Sequence, residues 1–149
     1  MQEQKTPQPI LHIQQLSKRY AGNKAFALND ISIDVLPGQI VALLGESGSG
    51  KTTLLRLIAG FENADSGLIR IGNRMVTNAQ ESLPPEHRGV GMVFQDYALF
   101  PHFNVYKNIV YGISSLSKIE QKNRVATVLS LVGLQDFSKR YPHELSGGQ

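Results

Sequence analysis

The chain has 149 residues, 41% of them hydrophobic and 18% charged, which suits one domain with a core. It contains no cysteine, and this excludes disulfides, thiolate zinc sites and thiol nucleophiles. A net charge of +3 spread over scattered lysines and arginines reads as a solvated surface rather than a nucleic-acid patch, and no apolar run approaches the ~20 residues of a membrane span.

Residues 1–9 are polar, lack a signal-peptide core and read as a disordered tail. Ile10 to Gln14 alternates and predicts a strand. A turn follows at Lys18 to Asn23. Tyr20 within it is either a core or turn aromatic or a ring able to stack on a purine. Phe26 to Leu28 and Ile31 to Val35 predict two more strands, and Pro37-Gly38 a tight turn. Ile40 to Leu44 is a continuous apolar run, expected to be a strand buried on both faces.

The next stretch fits G-x-x-x-x-G-K-[ST] at Gly45, Gly50, Lys51 and Thr52. Gly45, Gly48 and Gly50 permit positive φ and close approach of backbone N–H groups to phosphate oxygens. Lys51 supplies a point charge for β- and γ-phosphates, and the Thr52 hydroxyl is a hard oxygen ligand suited to Mg²⁺. From Lys51 a helix is predicted, with Leu55, Ile58 and Ala59 on its apolar face and Arg56 turned away. A strand, a glycine loop and a helix in this order present a helix N-terminus to phosphate. The bland alternative is a glycine-rich turn with a solvated lysine.

After a turn at Ala64 to Gly67, Leu68–Ile71 and Met75–Thr77 flank Gly72-Asn73 as a hairpin. Asn78 to Arg88 is polar, contains Pro84-Pro85 and reads as a loop. Val90 to Phe94 predicts a second buried strand ending at Gln95. A carboxamide at that end of a strand either caps a loop or holds a water of a Mg²⁺ shell. Asn104 predicts the cap of a short helix through Tyr111. Ser117 and Glu120 form a capping-box pattern opening a helix with Val125, Val128, Leu129 and Val132 on one face, stopped by Gly133. Asp136 to Arg140 predicts one more helical turn, broken at Tyr141-Pro142. The four histidines show no metal-ligand spacing.

The Gly45–Thr52 loop and the terminal Leu145-Ser146-Gly147-Gly148-Gln149 together resemble the ATP-binding cassette family, the ATPases of ABC transporters. The five terminal residues match that family's signature motif. Between the two, Val93 to His102 resembles its Q-loop, in a form close to importers of ferric iron, sulfate, polyamines and sugars, and Glu46 with Lys51 to Arg56 leans toward ferric iron. The implied fold is α/β: a P-loop NTPase core with an N-terminal antiparallel β subdomain and a helical arm, lacking C-terminal strands. The β and P-loop part is expected over about residues 10–95 and the arm over 96–149.

The resemblance implies ATP and Mg²⁺ as cofactors. It makes Lys51 and Gln95 catalytic, and Thr52 and Gln95 metal contacts. It places Tyr20 on the adenine, and Gly45, Glu46, Ser47, Gly48, Ser49, Gly50, Lys51, Thr52 and Thr53 around the phosphates. Ser146, Gly147, Gly148 and Gln149 would face the nucleotide of a second subunit in a head-to-tail dimer. Membrane permease subunits are the implied partners, with a substrate-binding protein reached indirectly, no nucleic acid, and a peripheral location on the cytoplasmic face of the cell membrane. The family's Walker B acids, D-loop and switch histidine would fall beyond Gln149, so this stretch alone is expected not to hydrolyse ATP. Cassette proteins acting on DNA or ribosomes, a non-catalytic nucleotide- or permease-binding fragment, and another P-loop kinase or GTPase are the competing readings.

Overall fold

The computed structural model describes residues 8–96 and 98–148; the first seven residues, Tyr97 and Gln149 lie outside them, including most of the expected tail. The chain divides into two compact units, Met1–Met92 and Val93–Gln149.

The first unit is built on a four-stranded antiparallel sheet of order β2-β1-β3-β4, from β1 (Leu11–Lys18), β2 (Leu28–Val35), β3 (Ser66–Ile71) and β4 (Arg74–Thr77). β1 runs four residues past the expected alternation. The pairing register shifts between Ile13 and Leu16, where Gln15 takes φ +50°. This bulge resets the two-residue period, so Ile13 and Leu16 both face the core. A matching irregularity at Asp30 (φ +54°) lets β2 run unbroken through what the sequence splits into two segments. The Gly72-Asn73 hairpin forms as expected, with Ile71 paired to Arg74.

Helix α1 (Lys51–Ala59) closes the core. Leu54 and Leu57 join Ile13, Leu16, Leu28, Ile69 and Val76 in one buried cluster. The buried face is therefore Leu54, Leu57 and Ala59, one step round from the expected Leu55, Ile58 and Ala59; Leu55 is 48% exposed.

Neither apolar run expected as a buried strand is one. Ile40–Leu44 and Val90–Phe94 carry no ladder, and Ile40, Leu44 and Val93 are more than 90% exposed. A strand exists only through a neighbour that satisfies its backbone groups. Among the described residues the sheet consists of β1 to β4, and neither segment joins it.

The second unit holds α2 (Val105–Tyr111) and α3 (Lys118–Leu131). Both caps form as the sequence predicts. Asn104 accepts from the Lys107 N–H, and Ser117 and Glu120 bond each other's backbone. Val125 and Leu129 are the buried apolar positions of α3, while Val132 is exposed. Buried Gln121 donates to the carbonyls of Ile113, Ser114 and Leu116, fastening the α2–α3 connection. Short 3₁₀ turns at Gln135–Phe137 and Pro142–Glu144 lead to the terminal segment. Among the described residues no helix is long and apolar enough to cross a membrane.

Candidate nucleotide site

In the first unit the loop at Gly45–Gly50 enters α1 without a side-chain cap, leaving the first-turn N–H groups to an outside acceptor. Gly50 takes φ +93° at the N-cap. A Cβ there would fall 2.3 Å from the Ala27 carbonyl oxygen, so this position needs glycine for space as well as for conformation. Ser47, Gly48 and Thr52 are exposed, and Glu46 and Ser49 lie at the same rim, where the Ser49 N–H donates to the Glu46 carbonyl.

The Lys51 ammonium folds back over its own loop. It donates to the carbonyls of Gly45 (2.7 Å) and Glu46 (2.6 Å) and to the Ser49 hydroxyl (3.2 Å). These bonds span the space between the loop and the helix N-terminus and put the positive charge there. A phosphate arriving at that point meets backbone donors, the positive end of a helix dipole and an ammonium together.

Thr53, one residue into the helix beyond Thr52, touches Tyr20: their hydroxyl oxygens are 3.3 Å apart. The Lys18 ammonium lies 5.4 Å from the Tyr20 ring centroid and is paired with Glu62 at 3.1 Å and Asp65 at 3.7 Å. Asp65 also accepts from the Arg19 N–H. An open cleft of about 520 Å³ is lined by Arg19 to Lys24 and Asp65. The Lys18 bond holds the Glu62 carboxyl below its ordinary value, with a smaller contribution from the Tyr20 hydroxyl. The structure thus brings Tyr20, the glycine loop, Lys51, Thr52 and Thr53 together at one end of α1. The Lys18, Glu62 and Asp65 cluster was not legible in sequence, because Lys18 stands more than 40 residues before the two acids and nothing local pairs it with them.

Gln95, Ser146, Gly147 and Gly148 belong to the second unit. Gln95 stands in a turn and is exposed. The neighbouring Asp96 and Leu99 share a cleft of about 410 Å³ with Pro142, Leu145, Ser146, Gly147 and Gly148, so the segment after Gln95 and the terminal segment lie side by side. Gln149, expected in the same motif, is outside the described residues. Asn108 also escaped the sequence reading. Its amide accepts from the Phe100 N–H and donates to the carbonyls of Phe100, Phe103 and Asn104.

For the metal, Thr52 offers an exposed hydroxyl at the loop's end, consistent with a hard cation held jointly with phosphate oxygens. Among the described residues no three His, Asp or Glu side chains gather into a cradle of their own.

Two curated relatives match nearly the whole chain. The spermidine/putrescine import ATP-binding protein PotA of Marinobacter nauticus is 44% identical over 144 residues, 95% of this chain and 37% of that protein. The putrescine transport ATP-binding protein PotG of Escherichia coli is 46% identical over 143 residues, 95% of this chain and 36% of that protein. The chain thus spans little more than a third of the curated relatives it matches. Among solved structures, the dimeric ATP-binding cassette MJ0796 bound to ADP and Pi is similar with a TM-score of 0.80 and 25% identity, covering 93% of this chain and 64% of that one. CbiO1 of Clostridium perfringens, part of the ABC transporter complex CbiONQ, is similar with a TM-score of 0.75 and 28% identity, covering 93% and 56%. The ABC transporter family model matches residues 28–149, and the chain belongs to that family.

Proposed function

We propose that this chain is the ATP-binding portion of an ABC import ATPase. The observation that carries the reading is the Lys51 ammonium set between the glycine loop and the uncapped start of α1. ATP binds with its phosphates on Gly45 to Thr53 and its adenine on Tyr20. Thr52 would offer its hydroxyl to Mg²⁺, Gln95 is the further metal contact that the family resemblance implies, and the cation would neutralise phosphate charge. The dimeric structure of MJ0796 bound to ADP and Pi supports a pair of subunits; in the head-to-tail pair that the resemblance implies, Ser146, Gly147, Gly148 and Gln149 would face the other subunit's nucleotide. The helical arm, residues 96–149, docks on permease subunits at the cytoplasmic face of the membrane, and the substrate-binding protein acts through them. This stretch carries no apolar strand closing on paired acids. We read its residues as the nucleotide-binding part of the reaction, hydrolysis needing a positioned proton acceptor besides. Among ferric iron, sulfate, polyamines and sugars, the names of both relatives support polyamine as the cargo.

The test is titration of the purified chain with a fluorescent ATP analogue and Mg²⁺, beside Lys51→Ala. Saturable binding that the substitution weakens by about a hundredfold is expected, because charge-assisted phosphate contacts are lost at once. Equal affinity in the variant overturns the role of Lys51. ATP turnover by the wild-type chain that Lys51→Ala removes overturns the binding-only assignment. Uptake assays in the assembled transporter, with labelled putrescine and ferric iron, decide the cargo.

A further inference from the structure

Arg88 is the one charged side chain among the described residues that is fully buried, at 4% exposure. Its guanidinium spends its donors on specific acceptors. Nη1 donates to the carbonyls of Leu57 (2.7 Å) and Ile58 (3.2 Å), Nε to that of Leu83 (2.7 Å), and Nη2 to the Ser82 hydroxyl (2.8 Å). Leu57 and Ile58 lie in the last turn of α1, where helix carbonyls lack internal partners and the dipole is negative. Room for the guanidinium comes from Gly60, the left-handed C-cap, where a Cβ would stand 2.5 Å from Nε. Burial draws the arginine below its ordinary pKa, yet the group stays charged. Burying such a charge is costly, and an apolar side chain would fill the space at less cost. What the arginine adds is direction: a planar fork that fixes the rotation and the height of the helix end.

We propose that Arg88 is a positioning residue for the phosphate site. It grips the C-terminal turn of α1, so that the opposite end, Lys51 to Thr53, is presented at a fixed place, and it anchors to the same helix the segment that holds Ser82 and Leu83. The helix is about 13 Å long, and small displacements of its seat are carried to its first turn. The proposal rests on the nucleotide reading above.

The test uses the full chain with Arg88→Lys, which keeps charge but forfeits the fork, and Gly60→Ala, which leaves the arginine and removes its space. Two quantities are read: hydrogen exchange of the Leu54 and Leu55 amides, the first of which donates to the Gly50 carbonyl, and affinity for fluorescent ADP. Both substitutions are expected to lower protection at those amides and ADP affinity by about tenfold, the effect of losing one charge-assisted bond, with β1 and β3 amides unchanged. The double variant is expected to lose little more than either alone. Wild-type affinity with wild-type protection at Leu54 and Leu55 overturns the proposal. So does a protection loss spread evenly through the unit, or failure of both variants to fold, because Arg88 then serves stability alone. If the wild-type chain does not bind ADP, the nucleotide reading falls, while the protection pattern still decides the role of Arg88.

Discussion

The Tyr20 hydroxyl stands 3.3 Å from the Thr53 hydroxyl, joining the end of the first strand to the first turn of α1. The contact sets the ring beside the phosphate loop, with the Lys18 ammonium near its face. Tyr20→Ala is expected to weaken ATP affinity by about tenfold through loss of stacking. Tyr20→Phe is expected to stay within about threefold. Inorganic triphosphate, which has no base, is expected to bind both variants like wild type. Unchanged ATP affinity for Tyr20→Ala removes the ring from the site.

The rotation of α1 can be checked by two leucines. Leu57 is 1% exposed and Leu55 is 48% exposed. Leu57→Ala is expected to cost about 2–5 kcal/mol in urea unfolding, whereas Leu55→Ala is expected to cost under about 1 kcal/mol. The reverse order means that the helix is turned to the face expected from sequence.

Glu62 gives a pH dependence with a definite sign. Its bond from Lys18 favours the carboxylate in the folded chain, so its folded pKa lies below the unfolded one. The unfolded chain then binds more protons near the ordinary glutamate value of about 4.3. The stabilisation is present above that value and is lost as pH falls through the lower, folded one. Urea melts from about pH 6 to pH 3 are expected to show this fall, and Glu62→Gln to flatten it. An unaltered pH profile in the variant shows that the Lys18 pair contributes nothing.

Asn108 holds the Phe100–Asn104 bend by both ends of its amide. Asn108→Ala leaves the Phe100 N–H and neighbouring carbonyls short of partners, at a cost of about 1–3 kcal/mol. Faster exchange of the Phe100 and Phe103 amides is the expected signature. Asn108→Asp, which keeps the acceptor but loses the donor, is expected to restore protection at Phe100 alone.

What could be read from the sequence was what is local. The Gly72-Asn73 hairpin, the Asn104 cap and the Ser117–Glu120 capping box are written within a few residues, and each forms as read. The glycine loop with Lys51 is of the same kind. Ile40–Leu44 and Val90–Phe94 failed as strands because apolar character states only what a segment would bury, and pairing requires another chain segment at its side. The face of α1 was misread by one position, because Leu54, Leu55, Leu57 and Ile58 leave two overlapping stripes and the sheet beneath chooses between them. The bulges at Gln15 and Asp30 changed the phase of two strands with no glycine to announce them. Arg88 ends a polar, proline-containing stretch that reads as a loop, and nothing in that stretch marks its guanidinium for burial.

The self-clasped Lys51 sets an entry threshold. An incoming ligand does not find a bare cation; it must displace two carbonyls and a hydroxyl that already occupy the ammonium. A lone inorganic phosphate offers little beyond what it displaces. A chain of phosphates trades these internal contacts for several of its own along the loop. On the proposed nucleotide reading, this clasp screens ligands by how many charges they bring, before any base is recognised.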